Sequence, residues 1–242
     1  MENKKQHTPK KTLVGTKNPH CAKSVKSTWN NSDNAAMYKK MPLKYFKQET
    51  IQGGLDNGCD VKAVTKYIKN AKSILEVGAG YGRVLNHVVK NTFRGELFAV
   101  EREPKLCAIL KKRFPQIPII SADIRKFKIK HKFDLILWLW ASLCDFSQVE
   151  QLPILKNLVS HLNTNGFLIL DLIPTNCKII NAINHDKQNK TMRTPYGNNY
   201  GYFPSLEEID LYTQKLNVLK KEIITYITKT NKKRHLYVLQ KI

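Results

Sequence analysis

Three glycines spaced two apart, Gly78, Gly80 and Gly82, follow directly on a short apolar run, Ser73-Ile74-Leu75-Glu76-Val77. An amphipathic pattern begins at once behind them, with Val84, Leu85, Val88 and Val89 on one helical face. Strand, glycine turn and helix start make the geometry of a nucleotide-type ligand site. Glycine lets the backbone come close to the ligand, and the helix N-terminus offers free N–H groups and the positive end of its dipole. Two acids follow at the ends of later apolar runs, Glu101 (with Arg102 beside it) and Asp123 (with Ile124). A fourth run ends in Trp138-Leu139-Trp140. Ligands of open α/β sheets bind beyond the carboxyl ends of the strands, so these residues are expected to meet at one edge.

The elements that must position them alternate. Asp60 to Asn70 reads as a short helix, Glu96 to Val100 as the second strand and Pro104 to Phe114 as a helix with proline at its start. Ile117 to Ile120 reads as the third strand, and Phe133 to Leu139 as a fourth that is apolar on both faces. The helix between Gln148 and Leu162 contains Pro153, so it either starts near Gln151 or kinks. Gly166 to Leu172 reads as the fifth strand. The polar stretch 175–202 breaks the rhythm and is expected to be a long loop or insertion. Ser205-Leu206-Glu207-Glu208 reads as a capping box, and Val218 to Thr228 with His235 to Ile242 as an antiparallel hairpin. The expected fold is therefore α/β: a Rossmann-like, mostly parallel sheet with helices on both faces and a C-terminal antiparallel β-hairpin.

At Ser73 to Arg83 the chain resembles motif I of the class I S-adenosylmethionine-dependent methyltransferases. The pattern E-x-G-x-G-x-G is matched at Glu76, Gly78, Gly80 and Gly82. The resemblance is strong over roughly residues 60 to 172 and implies seven strands. It implies that S-adenosylmethionine is the cofactor and S-adenosylhomocysteine the product. The implied cofactor residues are Glu76, Gly78, Ala79, Gly80 and Gly82 under the methionine part, and Glu101 with Arg102 at the ribose. Asp123 and Ile124 are implied at the adenine, with Trp138 and Leu139 flanking. A dinucleotide-binding dehydrogenase fits less well, because the spacing is G-x-G-x-G rather than G-x-G-x-x-G.

The acceptor is read from what is absent and from aromatics. No [DN]-P-P-[YF] follows strand four, Cys144 lacks a preceding proline, and no Lys-Asp-Lys-Glu set stands out. The segment Trp138 to Phe146 looks more like small-molecule and natural-product methyltransferases. Tyr38, Trp140, Ser142 and Tyr196 are the expected acceptor-side residues. Asp171, His185, Ser142 and Asp145 are open candidates for a general base, a group needed only if the acceptor must first lose a proton.

Composition bounds the rest. The chain has 242 residues and a formal net charge of +22, nearly all of it lysine. That excess reads either as the imprint of AT-rich coding, with abundant Asn and Ile, or as a hold on an anionic partner. Residues 1–27 read as a disordered basic tail, 28–59 as a cap or lid rich in aromatics (Trp29, Tyr38, Tyr45, Phe46), and 60–242 as the main domain. The five cysteines are scattered without a C-x-x-C pair, so a reducing cytoplasm and no metal are expected. No run approaches the roughly 18 apolar residues of a membrane span. Three readings follow: methyl transfer to a small molecule, methyl transfer to RNA or an acidic protein through the basic surface, or a cofactor-binding module without catalysis.

Overall fold

A computed structural model of the chain describes residues 31–91, 93–173, 179 and 182–242. The basic tail, Trp29, Cys21 and Cys177 lie outside the described residues, as does part of the 175–202 insertion. Four helices come first: α1 (Asn31–Lys40), α2 (Leu43–Gly53), α3 (Cys59–Ala63) and α4 (Thr65–Asn70). The single helix expected from Asp60 to Asn70 is thus two pieces, broken at Val64, whose φ of −108° and ψ of 16° leave the helical well.

The alternating part follows with β1 (Ser73–Val77), α5 (Arg83–Lys90), β2 (Glu96–Glu101), α6 (Pro104–Arg113), β3 (Ile119–Ser121) and β4 (Phe133–Trp138). After α7 (Gln148–Ser160) and β5 (Leu162–Leu172) comes a second sheet of β6 (Ala182–Asn184), β7 (Asn189–Thr194) and β8 (Gly197–Tyr202). The chain ends in α8 (Leu206–Leu216), β9 (Val218–Ile227) and β10 (Lys233–Lys241).

The seven-stranded sheet runs β3-β2-β1-β4-β5-β10-β9, with β10 antiparallel between β5 and β9. The chain builds outward from β1 to β3 and then returns to place β4 on the other side of β1. That reversal opens a crevice at the carboxyl ends of β1 and β4, where ligands of such sheets bind. Alternate residues of β4 face two separate cores, which is why the strand reads as continuously apolar. Ile136 and Trp138 join the core covered by α7 and α8, and Leu135 and Leu137 the one covered by α3 to α6.

Local chemistry accounts for most boundaries. Ser205 and Glu208 do form the capping box of α8, with Glu208 N–H donating to Ser205 Oγ at 3.3 Å and Ser205 N–H to Glu208 Oε2 at 2.9 Å. Helix α7 starts at Gln148, capped by Ser147 N–H to Glu150 Oε2 at 3.0 Å, and carries Pro153 inside it. The carbonyl left without a partner is that of Val149, a residue 72% exposed, so water can serve it.

Two further expectations are corrected. Strand β5 begins at Leu162 rather than Gly166: Leu162 pairs with Phe133, residues 163–166 bulge out of the ladder opposite Asp134, and pairing with β4 resumes at Phe167 with Leu135. A Cβ at Gly166 would lie 2.9 Å from the Asn163 carbonyl oxygen and 3.0 Å from that of Phe133, so any larger residue would force the backbone there to shift. The 175–202 region is not a loop throughout: from Ala182 to Tyr202 it is an antiparallel sheet whose strand signal is diluted by asparagine and glycine.

Candidate active site

The glycine bend takes its shape from one acid. Glu101, at the end of β2, accepts from Gly80 N–H at 2.7 Å with Oε2, and from Arg102 and Glu103 N–H at 2.8 and 2.9 Å with Oε1. Gly78 and Ala79 N–H donate to the Val100 carbonyl at 2.9 and 3.2 Å, so the bend leans on β2 throughout. Burial pushes the Glu101 carboxyl up, against the pull of those three N–H donors. Gly78, Gly80 and Gly82 all have positive φ, at 66°, 57° and 83°. A Cβ at Gly78 or Gly80 would meet nothing closer than 3.9 Å, so both border open space. At Gly82 it would lie 2.6 Å from the Phe114 ring, so that glycine lets α5 pack on α6.

Beside the bend a cavity of about 310 Å³ opens at the crevice between β1 and β4. Glu76, Gly78, Ala79, Gly80, Glu101, Arg102, Asp123, Ile124, Trp138 and Leu139 all line it, and so do Tyr38, Trp140 and Ser142. Two expected site residues do not. Gly82 is turned to the helix contact just described, and Tyr196, in the β7–β8 turn, packs edge-on against Tyr45 at 5.0 Å. Tyr196 thereby packs on Tyr45 of α2.

Glu76 is buried in the middle of the sheet, and its Oε2 has no hydrogen-bond partner. Burial pushes its carboxyl up to about 8, only partly offset by the nearby Arg83. Arg83 is held by Asp60 in a buried fork, Nη1 to Oδ1 at 2.8 Å and Nη2 to Oδ2 at 2.6 Å, and lies 5.9 Å from the centre of the Trp140 ring. Asp123 caps the short turn 124–126 by accepting from Arg125 N–H at 2.9 Å. Burial alone would raise its carboxyl, but the hydrogen bonds from Arg125 outweigh it and hold Asp123 below the usual range.

The other end of the cavity is built from segments far apart in sequence. Asp145, on the one-turn helix 142–145 after β4, accepts from the Tyr38 hydroxyl at 2.7 Å, across 107 positions. Asn199 of β8 donates to the same hydroxyl at 3.2 Å. Asn34 of α1 donates to the carbonyls of Asp145 and Tyr200 at 2.9 and 2.7 Å, and Gln151 to those of Leu143, Phe146 and Tyr202. Neither Asn34, Gln151 nor Asn199 is visible as a site residue in the sequence, since amides that bind backbone carbonyls leave no local pattern. Of the candidate bases, Asp171 is fully committed elsewhere: it takes Arg234, Tyr226 and the Trp140 N–H, and does not line the cavity. His185 faces Thr191 Oγ1 at 2.8 Å, also outside the cavity, while Ser142 Oγ donates to the Leu139 carbonyl.

An unpaired buried carboxylate oxygen, two glycines open to the cavity and acids at the next two strand ends fit a nucleoside cofactor with a cationic amino-acid part, as S-adenosylmethionine is. The comparisons agree. Residues 74–166 match a family model described as a methyltransferase domain. The chain is 24% identical over 102 residues to a dTDP-3-amino-3,4,6-trideoxy-alpha-D-glucopyranose N,N-dimethyltransferase of Streptomyces venezuelae, a match spanning 42% of each chain. Its fold is similar to that of a SAM-bound amino pentose methyltransferase of Micromonospora echinaspora, with TM-score 0.63 and 16% identity over 84% of this chain and 98% of the other. A sugar N-methyltransferase of a Streptoalloteichus species gives TM-score 0.60 and 15% identity, covering 84% and 93%. Glycine bend, strand order and these matches together give the chain the fold of S-adenosylmethionine-dependent methyltransferases, with residues 74–166 matching a methyltransferase domain.

Proposed function

We propose that the chain transfers a methyl group from S-adenosylmethionine to a small molecule that enters the cavity from the Tyr38–Asp145 end. The bound sulfonium supplies an already activated methyl group, so the protein's work is alignment and exclusion of water. In this reading the Gly78–Gly80 backbone passes under the methionine part and Glu76 receives its ammonium. Glu101 takes the ribose hydroxyls while keeping the bend in shape, and Asp123 with the Ile124 N–H meets the adenine. Trp138 and Leu139 flank the cofactor, and Trp140 and Ser142 stand between it and the acceptor.

The observation that carries a small acceptor is the character of the far wall. Among the described residues that line the cavity there is no lysine, although the chain is rich in it; the cations among them are Arg83 and Arg102. Aromatic and apolar side chains, among them Tyr38, Phe46, Trp140, Phe146 and Phe203, form the wall instead. Helix α1 is tied across the opening to β8, with Tyr200 N–H donating to Asn34 Oδ1 at 2.8 Å. An aromatic-lined cleft under a cover suits a compact apolar or cationic acceptor; a polynucleotide backbone would need an open cationic track.

Calorimetry with S-adenosylmethionine and with NAD tests the cofactor half: binding of NAD alone would end the reading. Transfer of a labelled methyl group into a fractionated cell extract tests the acceptor half, with label expected in the low-molecular-weight fraction. Label in RNA or protein would move the acceptor to those classes.

A further inference from the structure

The acceptor end of the cavity carries two hydrogen-bond acceptors beside the Arg102 guanidinium. Asp145 contributes a carboxylate, and Asn199 an Oδ1 that is buried without a donor. The aromatic side chains of Tyr38, Trp140 and Phe146 line the same cavity. The groups facing Asp145 are Tyr38 from α1, Asn199 from β8 and Arg102 from beyond β2, with Cys144 next to it in the chain. Arg102 is the one charged neighbour of this set, and its guanidinium lies 5.6 Å from the centre of the Tyr38 ring.

The backbone that carries Asp145 is held in a costly shape. Trp140 and Ala141 both have left-handed φ, at 60° and 54°, without being glycine. Buried partners hold that shape: Asp171 fixes the Trp140 N–H, Asn34 the Asp145 carbonyl, and Gln151 the carbonyls on either side. Strain kept by so many buried contacts serves to aim a side chain, and the side chain so aimed is Asp145. A ligand with several N–H donors and a positive charge suits the carboxylate, the amide oxygen and the aromatic rings of this end. An alcohol offers one donor and no charge.

We propose that the methyl acceptor is an amine and that Asp145, positioned by Tyr38 and Asn199, receives the proton its nitrogen must lose. The proposal rests on the reading of the cavity as a methyl-transfer site. The acceptor enters as an ammonium; one N–H bond breaks and its proton goes to the Asp145 carboxylate. The freed lone pair forms the N–CH3 bond as the C–S bond breaks, and that bond's electron pair stays on sulfur. The product leaves as an N-methylammonium, and Asp145 returns its proton to water. Burial pushes the Asp145 carboxyl up to about 6, against the Tyr38 hydrogen bond, Arg102 and Asn199, so it is ionised at neutral pH yet more basic than an ordinary carboxylate. Arg102 opposes an ammonium by charge, so hydrogen bonds and ring faces share the discrimination with the carboxylate.

The experiment uses the full chain saturated with S-adenosylhomocysteine and two probes of nearly equal shape, benzylamine and benzyl alcohol. Calorimetry is expected to show the amine binding about tenfold tighter or more, the preference growing as pH rises through about 6. Asp145→Asn is expected to erase the preference while leaving S-adenosylhomocysteine affinity within about twofold. Tyr38→Phe, which keeps the ring packing, should reduce the preference severalfold. Benzylamine binding no tighter than the alcohol, or an unchanged preference in Asp145→Asn, overturns the proposal while the cofactor reading stands. Failure of S-adenosylhomocysteine to bind the unmodified chain would instead remove the cofactor reading itself.

Discussion

Glu76 and the bend glycines divide the work at the cofactor end, and each can be tested alone. The Glu76 carboxyl, raised from about 4.5 to about 8 by burial, holds its proton in the folded chain and releases it in the unfolded one across that interval. The folded state then binds more protons than the unfolded state, so this group makes stability fall as pH rises from about 4.5 to about 8. Without cofactor, Glu76→Gln is expected to be more stable than the parent at pH 8, on the order of 1–3 kcal/mol, and to flatten that pH dependence. It should also weaken S-adenosylmethionine binding by about tenfold or more, as a charge-assisted hydrogen bond is lost. Thermal melts between pH 5 and pH 8 decide the first part, and a variant less stable than the parent at pH 8 would refute it. Gly82→Ala and Gly80→Ala should part company in the same assays. The first puts a methyl group 2.6 Å from Phe114 and is expected to cost about 2–4 kcal/mol of stability. The second meets nothing closer than 3.9 Å, costs about 1–2 kcal/mol for its left-handed backbone, and should show mainly as lost cofactor affinity.

The turn after β4 is the element on which the acceptor end depends. Its left-handed Trp140 and Ala141 persist because Asp171, paired with the buried Arg234 by contacts of 2.8 and 3.1 Å, accepts the Trp140 N–H at 2.9 Å. Asp171→Asn leaves Arg234 buried without its counter-charge and is expected to cost about 3–5 kcal/mol, read as a fall in melting temperature. Ala141→Gly should be neutral or stabilise by up to about 1 kcal/mol, because glycine accepts the left-handed φ without strain. A destabilised Ala141→Gly would show that the backbone there is not strained. The sequence placed β1, β2, β4 and their connecting helices within a residue or two, since each carries its own burial pattern or cap. It missed the break at Val64, the start of β5 and the second sheet. At those points a long-range packing contact or a ladder bond replaces the local signal. Asp171, one of the candidate bases, is paired instead with Arg234, a partner 63 positions away that the sequence could not show.

For the molecule as a whole, the question is where +22 charges act. No lysine stands among the described residues around the cavity, so catalysis on a small acceptor should depend little on ionic strength. Methyl transfer to the acceptor found in extract is expected to change less than about threefold between 50 and 200 mM salt. A polynucleotide acceptor held by several phosphate contacts would lose about 10³-fold or more over the same range, and that outcome would return RNA to first place. Among the described residues no helix is long and apolar enough to cross a membrane.

What the sequence determined by itself is the cofactor end: strand, glycine bend and the acids at the next strand ends. Those elements follow one another in the chain, and each signal is written within a few residues. Only the tertiary structure decided the Tyr38–Asp145 end of the cavity. Tyr38, Asp145 and Asn199 meet across separations of 107 and 161 positions, through hydrogen bonds that no periodicity encodes. Burial patterns specify which face of an element turns inward; which distant side chain waits there is settled when the cover closes over the sheet.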